Sequence, residues 1–372
     1  MKVAIVHEWF VSYAGSERVV EQLLHLFPQA DLFALVDFLP EQQRGFIQGR
    51  PVKTSFIQNL PWAKKHFRQY LPLMPLAIEQ LDLSGYDLIL SSNHAVAKGI
   101  LTRADQLHLC YVHTPIRYAW DLQQQYLKGA GLDRGLKAVL ASLILHYLRL
   151  WDLASAHRVD VYVANSRYVA ARIQKTYRRT ADVVYPPVAV NQFECDRPRQ
   201  DFYLTVARFV PYKRVDLIVE AFTQLGFPLV VIGDGPNWQQ VRSLAGPNIQ
   251  LLGHQPDSVV KTHLETCKAF VFAAEEDFGI TPVEAQAAGA PVIAYGRGGV
   301  AETVIAKQTG IFFAEQTVDS LKAAIAEFAR LAWSAQQIRQ QAEQFSVQRF
   351  RDQMMALIQS HWQDFQQRND IQ

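Results

Sequence analysis

The strongest constraint on this chain is a regular alternation. Short aliphatic or β-branched runs are separated by segments with helical apolar spacing over nearly the whole length. Runs buried on both faces need helices on either side, so the pattern predicts parallel sheets and an α/β class. In the first half strands are expected at 3–7, 31–36, 86–91, 107–113 and 159–164. A helix is expected over 17–27, where Val19, Val20, Leu23, Leu24 and Phe27 share a face and Ser16 serves as N-cap.

Between 185 and 200 the periodicity stops among Pro186, Pro187, Asn191, Asp196 and Pro198, which marks a linker. The alternation then restarts, with strands expected at 202–207, 229–232, 249–252, 269–273 and 292–295. A length of 372 residues exceeds what one core usually organises. The reading is therefore two Rossmann-like domains, 1–188 and 189–345, with a final helix over 346–372 packing back toward the first. Ligands in such sheets bind at the carboxyl ends of the strands, and two domains facing each other across a cleft would place their functional residues there.

Composition narrows the partners. With 37 basic against 35 acidic residues there is no broad cationic field, which argues against nucleic acid. Cys110, Cys195 and Cys267 are too scattered for a disulfide framework or a zinc site, so a reducing, cytoplasmic setting is expected. The apolar run at 138–145 is flanked by Lys137, His146 and Arg149 and falls short of the ~18 residues of a membrane span, so no crossing is expected.

The most informative segment, 270–285, is an apolar strand, an acidic turn (Glu275, Glu276, Asp277, Phe278, Gly279) and a helix start (Ile280, Thr281, Pro282, Val283, Glu284). Thr281, Pro282 and Glu284 fit a capping box, which would explain Glu284 structurally. Glu276 has less structural excuse, because three acids directly after a buried strand are costly unless solvated or bound. Two carboxylates in this setting suit hydroxyl recognition, and the backbone N–H groups around Gly279 suit an anion. A second constellation runs from Arg208 through Lys213, after the first strand of the second domain. There a guanidinium can fork onto a phosphate and a lysine can add a point charge.

Glu276, Phe278, Gly279, Pro282, Glu284, Ala285 and Gly289 resemble the hallmark of glycosyltransferase family 4, a family of GT-B fold. The resemblance implies that Glu276 holds donor-sugar hydroxyls, Glu284 the ribose, and Arg208 and Lys213 the donor diphosphate. Phe278, Gly279 and Ile280 would line the donor site. His113, ending an expected strand, matches a family histidine that contacts the donor sugar. The wording His113-Thr114-Pro115-x-Arg117-Tyr118-x-Trp120-Asp121 is similar to bacterial mannosyltransferases of surface-polysaccharide synthesis. Gly15 occupies a phosphate-facing turn, although Ala14 stands where relatives often carry another glycine. Gly233, Gly253 and His254 follow strands and would frame the base, while Gly298, Gly299 and Glu302 resemble a further family element near the nucleotide.

The activity implied is a retaining hexosyltransferase that uses GDP-mannose on a saccharide or lipid-linked acceptor. Fixed cations would stabilise the departing diphosphate without a metal or other cofactor, and the chain has no Asp-x-Asp pair. A UDP- or ADP-hexose donor, or a silent nucleotide-sugar-binding module, are the alternatives. The stretch Lys64, Lys65, His66, Phe67, Arg68, Gln69, Tyr70 mixes cations with aromatics and is read either as a solvated helix face or as a contact for anionic lipid at the inner face of the membrane.

Overall fold

The computed structural model describes residues 1–129 and 131–369. They form two compact units, one of Met1–Tyr185 joined by the chain from Phe350 onward, the other of Pro186–Arg349. The first unit holds a seven-stranded sheet of β1 (Val3–Phe10), β2 (Asp31–Asp37), β3 (Val52–Thr54), β4 (Leu88–Asn93), β5 (Leu107–Val112), β6 (Val161–Ala164) and β7 (Asp182–Val183). Their order is β3-β2-β1-β4-β5-β6-β7, and every pair is parallel. The second unit has β8 (Tyr203–Val206), β9 (Leu229–Ile232), β10 (Ile249–Gly253), β11 (Ala269–Phe272), β12 (Val292–Tyr295) and β13 (Gly310–Phe313), also wholly parallel, in the order β10-β9-β8-β11-β12-β13.

The period of two in a strand explains both layers of each core. In β1, Val3 and Ile5 pack with Val19, Val20, Leu23 and Leu24 of the helix Gly15–Leu26, whereas Ala4 and Val6 pack with Phe67, Met74 and Ile78 on the opposite face. In the second unit Leu229 and Val231 join one cluster and Val230 and Ile232 the other. The helix Val347–Asn369 contributes Phe350, Met354 and Ile358 to the core of the first unit.

Three strands escape the sequence reading. β3 is a half-buried edge and β7 is two residues long, too little apolar signal to register. β13 is buried, but it is a four-residue run that opens on a glycine. The linker residue Val188 is buried, bridges to Ser346 and donates its N–H to the Phe345 carbonyl at 2.9 Å, so it belongs to the second unit. Ser16 is not the expected cap. The helix starts at Gly15, and Glu17 reaches back to accept the Ala14 N–H at 3.1 Å.

The 138–145 run belongs to a longer helix than its flanking residues suggest. Lys137, His146 and Arg149 interrupt the apolar run without interrupting the helix, which extends over Gly135–Ser155. With the turn that follows, over Gly135–Arg158, it is by length and composition alone long and apolar enough to cross a membrane.

Candidate active site

Strand order reverses between β8 and β11 in the second sheet and between β1 and β4 in the first. Loops leaving the carboxyl ends of such a pair diverge, which opens room for a ligand. In the second unit the expected residues gather there. Lys213, in the short turn Pro211–Lys213 after β8, ion-pairs with Glu276 after β11, and both side chains remain 18% exposed. Arg208 is exposed and makes no ion pair among the described residues. Arg208, Lys213 and Glu276 therefore share the end of the strand pair where the order reverses.

The glycines hold these loops in contact. A side chain at Gly233, where φ is +137°, would run into the Ala207 carbonyl, and one at Gly235 would meet the Phe209 backbone. The Phe209 N–H donates to the Asp234 carbonyl at 2.8 Å, and the Gly233 N–H to the Gly253 carbonyl at 2.8 Å. The ends of β8, β9 and β10 are thus one backbone network, with His254 exposed beside it. On the other side, Gly298 and Gly299 lie against Glu276, Asp277 and Phe278, and the Gly299 N–H donates to the Glu276 carbonyl at 2.8 Å. This contact fixes the turn from which the Glu276 side chain projects.

Two assignments change. The helix Ile280–Ala287 is capped by Gly279 at φ +86°, with no side-chain cap. Thr281 therefore lies inside the helix, and Glu284 begins its second turn instead of closing a capping box. Phe278 is buried against Phe345, ring centroids 5.7 Å apart, so only its backbone can face a ligand. Ile280 and Glu284 keep partial exposure at the helix start.

In the first unit, His113 directly follows β5 and Gly15 opens the helix after β1. The structure links His113 to the helix that Gly15 opens, through residues the sequence reading missed. Glu17 Oε1 lies 3.3 Å from His7 Nε2, His7 Nδ1 lies 3.2 Å from Ser92 Oγ, and Ser92 Oγ lies 2.8 Å from His113 Nε2. Burial pushes the Glu17 carboxyl up, but hydrogen bonds and charge from His7 outweigh it and bring the group to about 2. Glu17 is thus an anion at neutral pH. The series thus ties His113, through Ser92 and His7, to the Glu17 carboxylate. Burial, reinforced by His94 and His7, holds the His113 imidazole well below its ordinary value, hence neutral.

Nearby, the Glu8 carboxylate is fully buried and accepts four backbone N–H groups, from His94 (3.0 Å), Ala95 (2.7 Å), Val96 (2.9 Å) and Ala97 (3.1 Å). It locks the loop after β4 onto β1. His7 and Glu8, interrupting the apolar run of the first strand, were the available signal for this cluster, since two buried polar residues inside a strand are costly without partners. The His113–Asp121 motif is itself partly scaffolding. Trp120 donates to Asp152 at 2.8 Å, and Arg172 joins Thr114, at 2.7 Å, to Asp121.

Comparison with known proteins accords with this geometry. Residues 13–192 match the model described as Glycosyltransferase Family 4, and residues 193–345 the model described as Glycosyl transferases group 1. The chain belongs to glycosyltransferase family 4. An uncharacterized glycosyltransferase of Methanocaldococcus jannaschii is 29% identical over 45% of this chain and 49% of its own. The Mycobacterium tuberculosis GDP-mannose-dependent alpha-(1-6)-phosphatidylinositol monomannoside mannosyltransferase is 28% identical over 45% of this chain and 52% of its own. The chain therefore spans about half the length of these relatives. Among solved structures, sucrose-phosphate synthase of Thermosynechococcus elongatus superposes with a TM-score of 0.72 at 17% identity, covering 98% of this family 4 chain and 100% of its own. Anabaena HepE in complex with UDP-glucose gives 0.68 at 17% identity, covering 97% and 100%. These likenesses support the GT-B fold of the family 4 chain.

Proposed function

We propose that this family 4 member transfers a hexose, with retention of anomeric configuration, from GDP-mannose to a saccharide or lipid-linked acceptor. The carrying observation is the convergence of Arg208, Lys213 and Glu276 on the β8/β11 reversal. Cleavage of the anomeric bond places positive charge on the sugar and negative charge on the departing diphosphate. Arg208 and Lys213 stabilise the diphosphate, so the reaction needs no metal. Glu276 accepts from donor hydroxyls and keeps Lys213 aligned when no donor is bound. Glu284 serves the ribose, Gly233, Gly253 and His254 the base, Gly15 the phosphate side and His113 the sugar. The protein acts in the cytoplasm, at the inner face of the membrane when its acceptor is lipid-linked.

The mannosyl donor is supported by the GDP-mannose-dependent relative. A UDP-hexose is the second reading, favoured by the fold's likeness to HepE in complex with UDP-glucose. The test is calorimetric binding and slow hydrolysis of GDP-mannose, UDP-glucose, UDP-N-acetylglucosamine and ADP-glucose in the presence of EDTA. Preferential GDP-mannose binding with release of GDP is expected. Preference for a UDP-sugar replaces the donor, dependence on added metal overturns metal independence, and no binding to any overturns the enzyme reading.

A further inference from the structure

The helix Gly135–Ser155 is anchored to the first unit along one face only. Leu145, Leu148, Asp152 and Ser155 are buried, and the Asp152 carboxylate pairs with Lys98 at 2.6 Å inside the protein. The opposite face carries Leu136, Val139, Leu140, Leu143, Tyr147 and Leu150, all exposed, with Leu136 at 89%, Leu140 at 60% and Leu143 at 61%. At 1.5 Å per residue this stripe runs about 20 Å. Isolated exposed leucines are ordinary, whereas an aligned set of this extent marks a contact surface.

We propose that this face lies on an anionic lipid bilayer, with the helix axis in the plane of the interface. Charge favours it. The helix has one acidic residue, Asp152, buried and paired, whereas Lys137 and His146 flank the stripe; Arg134, just before the helix, lies 3.8 Å from the Asp133 carboxylate. A second copy of the chain fits less well. Leu136, Leu140, Leu143, Tyr147 and Leu150 have the spacing of a two-helix seam, but within the helix the flanking positions offer no acid to meet the cations of a partner. A stripe of this length and roughly 10 Å width also supplies only about 200 Å², against the ~800 Å² per partner of a stable dimer.

The stretch that carried the sequence-based membrane reading, 64–70, plays a different part. Phe67 is buried and Tyr70 donates its hydroxyl to the Pro61 carbonyl at 2.6 Å, so its aromatics face the protein while Lys64 and Lys65 stay exposed. Because the helix is held by Asp152 and its buried leucines, it rests on the bilayer without crossing it.

The experiment is flotation of the full chain with vesicles of equal parts phosphatidylcholine and phosphatidylglycerol, and with phosphatidylcholine alone, for the native protein and the double variant Leu140→Glu/Leu143→Glu. Native protein floats with the anionic vesicles, and the variant loses at least about tenfold in the bound fraction while its circular dichroism and nucleotide-sugar binding are unchanged. The donor assay is a separate readout, so failure here leaves the enzymatic reading standing. No flotation of native protein, or equal flotation of the variant, overturns the proposal. So does light scattering that shows a native dimer made monomeric by the variant with flotation unaffected.

Discussion

Glu276 is the side chain on which most rests, because it meets Lys213 on one side while its backbone is held by Gly299. Glu276→Ala and Arg208→Ala are each expected to lower turnover by on the order of 100-fold with the fold intact. Near-native turnover in both, measured by GDP release in the presence of acceptor, would sink the assignment. The Glu17–His7–Ser92–His113 series makes a subtler demand. His7→Phe keeps an aromatic ring in place but removes the link between Glu17 and Ser92, so the series that ends on His113 is cut from its carboxylate. We expect kcat to fall by roughly tenfold with KM for the donor little changed. Ser92→Ala should do the same, and the double variant should cost no more than either single one. Additive losses would mean that the two residues act independently. Part of this site was open to reading from the sequence: Arg208, Lys213 and Glu276 follow apolar strands, and charge after such a strand stands out. Glu17 and Ser92 did not stand out, because a helix residue and a residue of another strand become neighbours only once the sheet order is known.

The helix Gly135–Ser155 shows what side-chain packing adds to a pattern. Its apolar residues occur on both faces, so periodicity could not say which face turns inward. The structure decides it through Asp152, which is fully buried with Lys98 and accepts from Lys98, Trp120 and Tyr177. Lys98 also donates to Ser155 at 2.7 Å. Lys98→Met strands the Asp152 charge and is expected to cost roughly 3–5 kcal/mol, whereas Lys98→Met with Asp152→Leu should recover much of the loss. Chemical denaturation of both variants checks this, and equal destabilisation would show that packing, not charge, governs the cluster. The central strands β1, β4, β8, β9, β11 and β12 were legible because burial on both faces demands continuous apolar runs. The edges β3 and β7 were not, because a half-solvated strand can use almost any residue.

Across the molecule, acid sensitivity is concentrated in the first unit. Burial pulls His108 down to about 4 and holds His94 and His113 below the ordinary 6.5. These imidazoles are neutral in the folded chain but take up protons when unfolded. Stability is therefore present above about pH 6.5 and falls as the pH drops toward the native values, by up to about 1.4 kcal/mol per pH unit for each group. Amide-exchange protection of β4 and β5, corrected for intrinsic rates, should be lower at pH 5 than at pH 7, and His108→Gln should lessen the difference. Equal protection at both values would contradict the assignment. The two units also differ in how they are drawn from the chain. Pro186–Arg349 is one continuous stretch, whereas the first unit needs Phe350, Met354 and Ile358 to complete its core. During synthesis the later-made unit can therefore close first, while the earlier-made one waits, with an apolar flank open to chaperones, until the helix bearing those residues has left the ribosome.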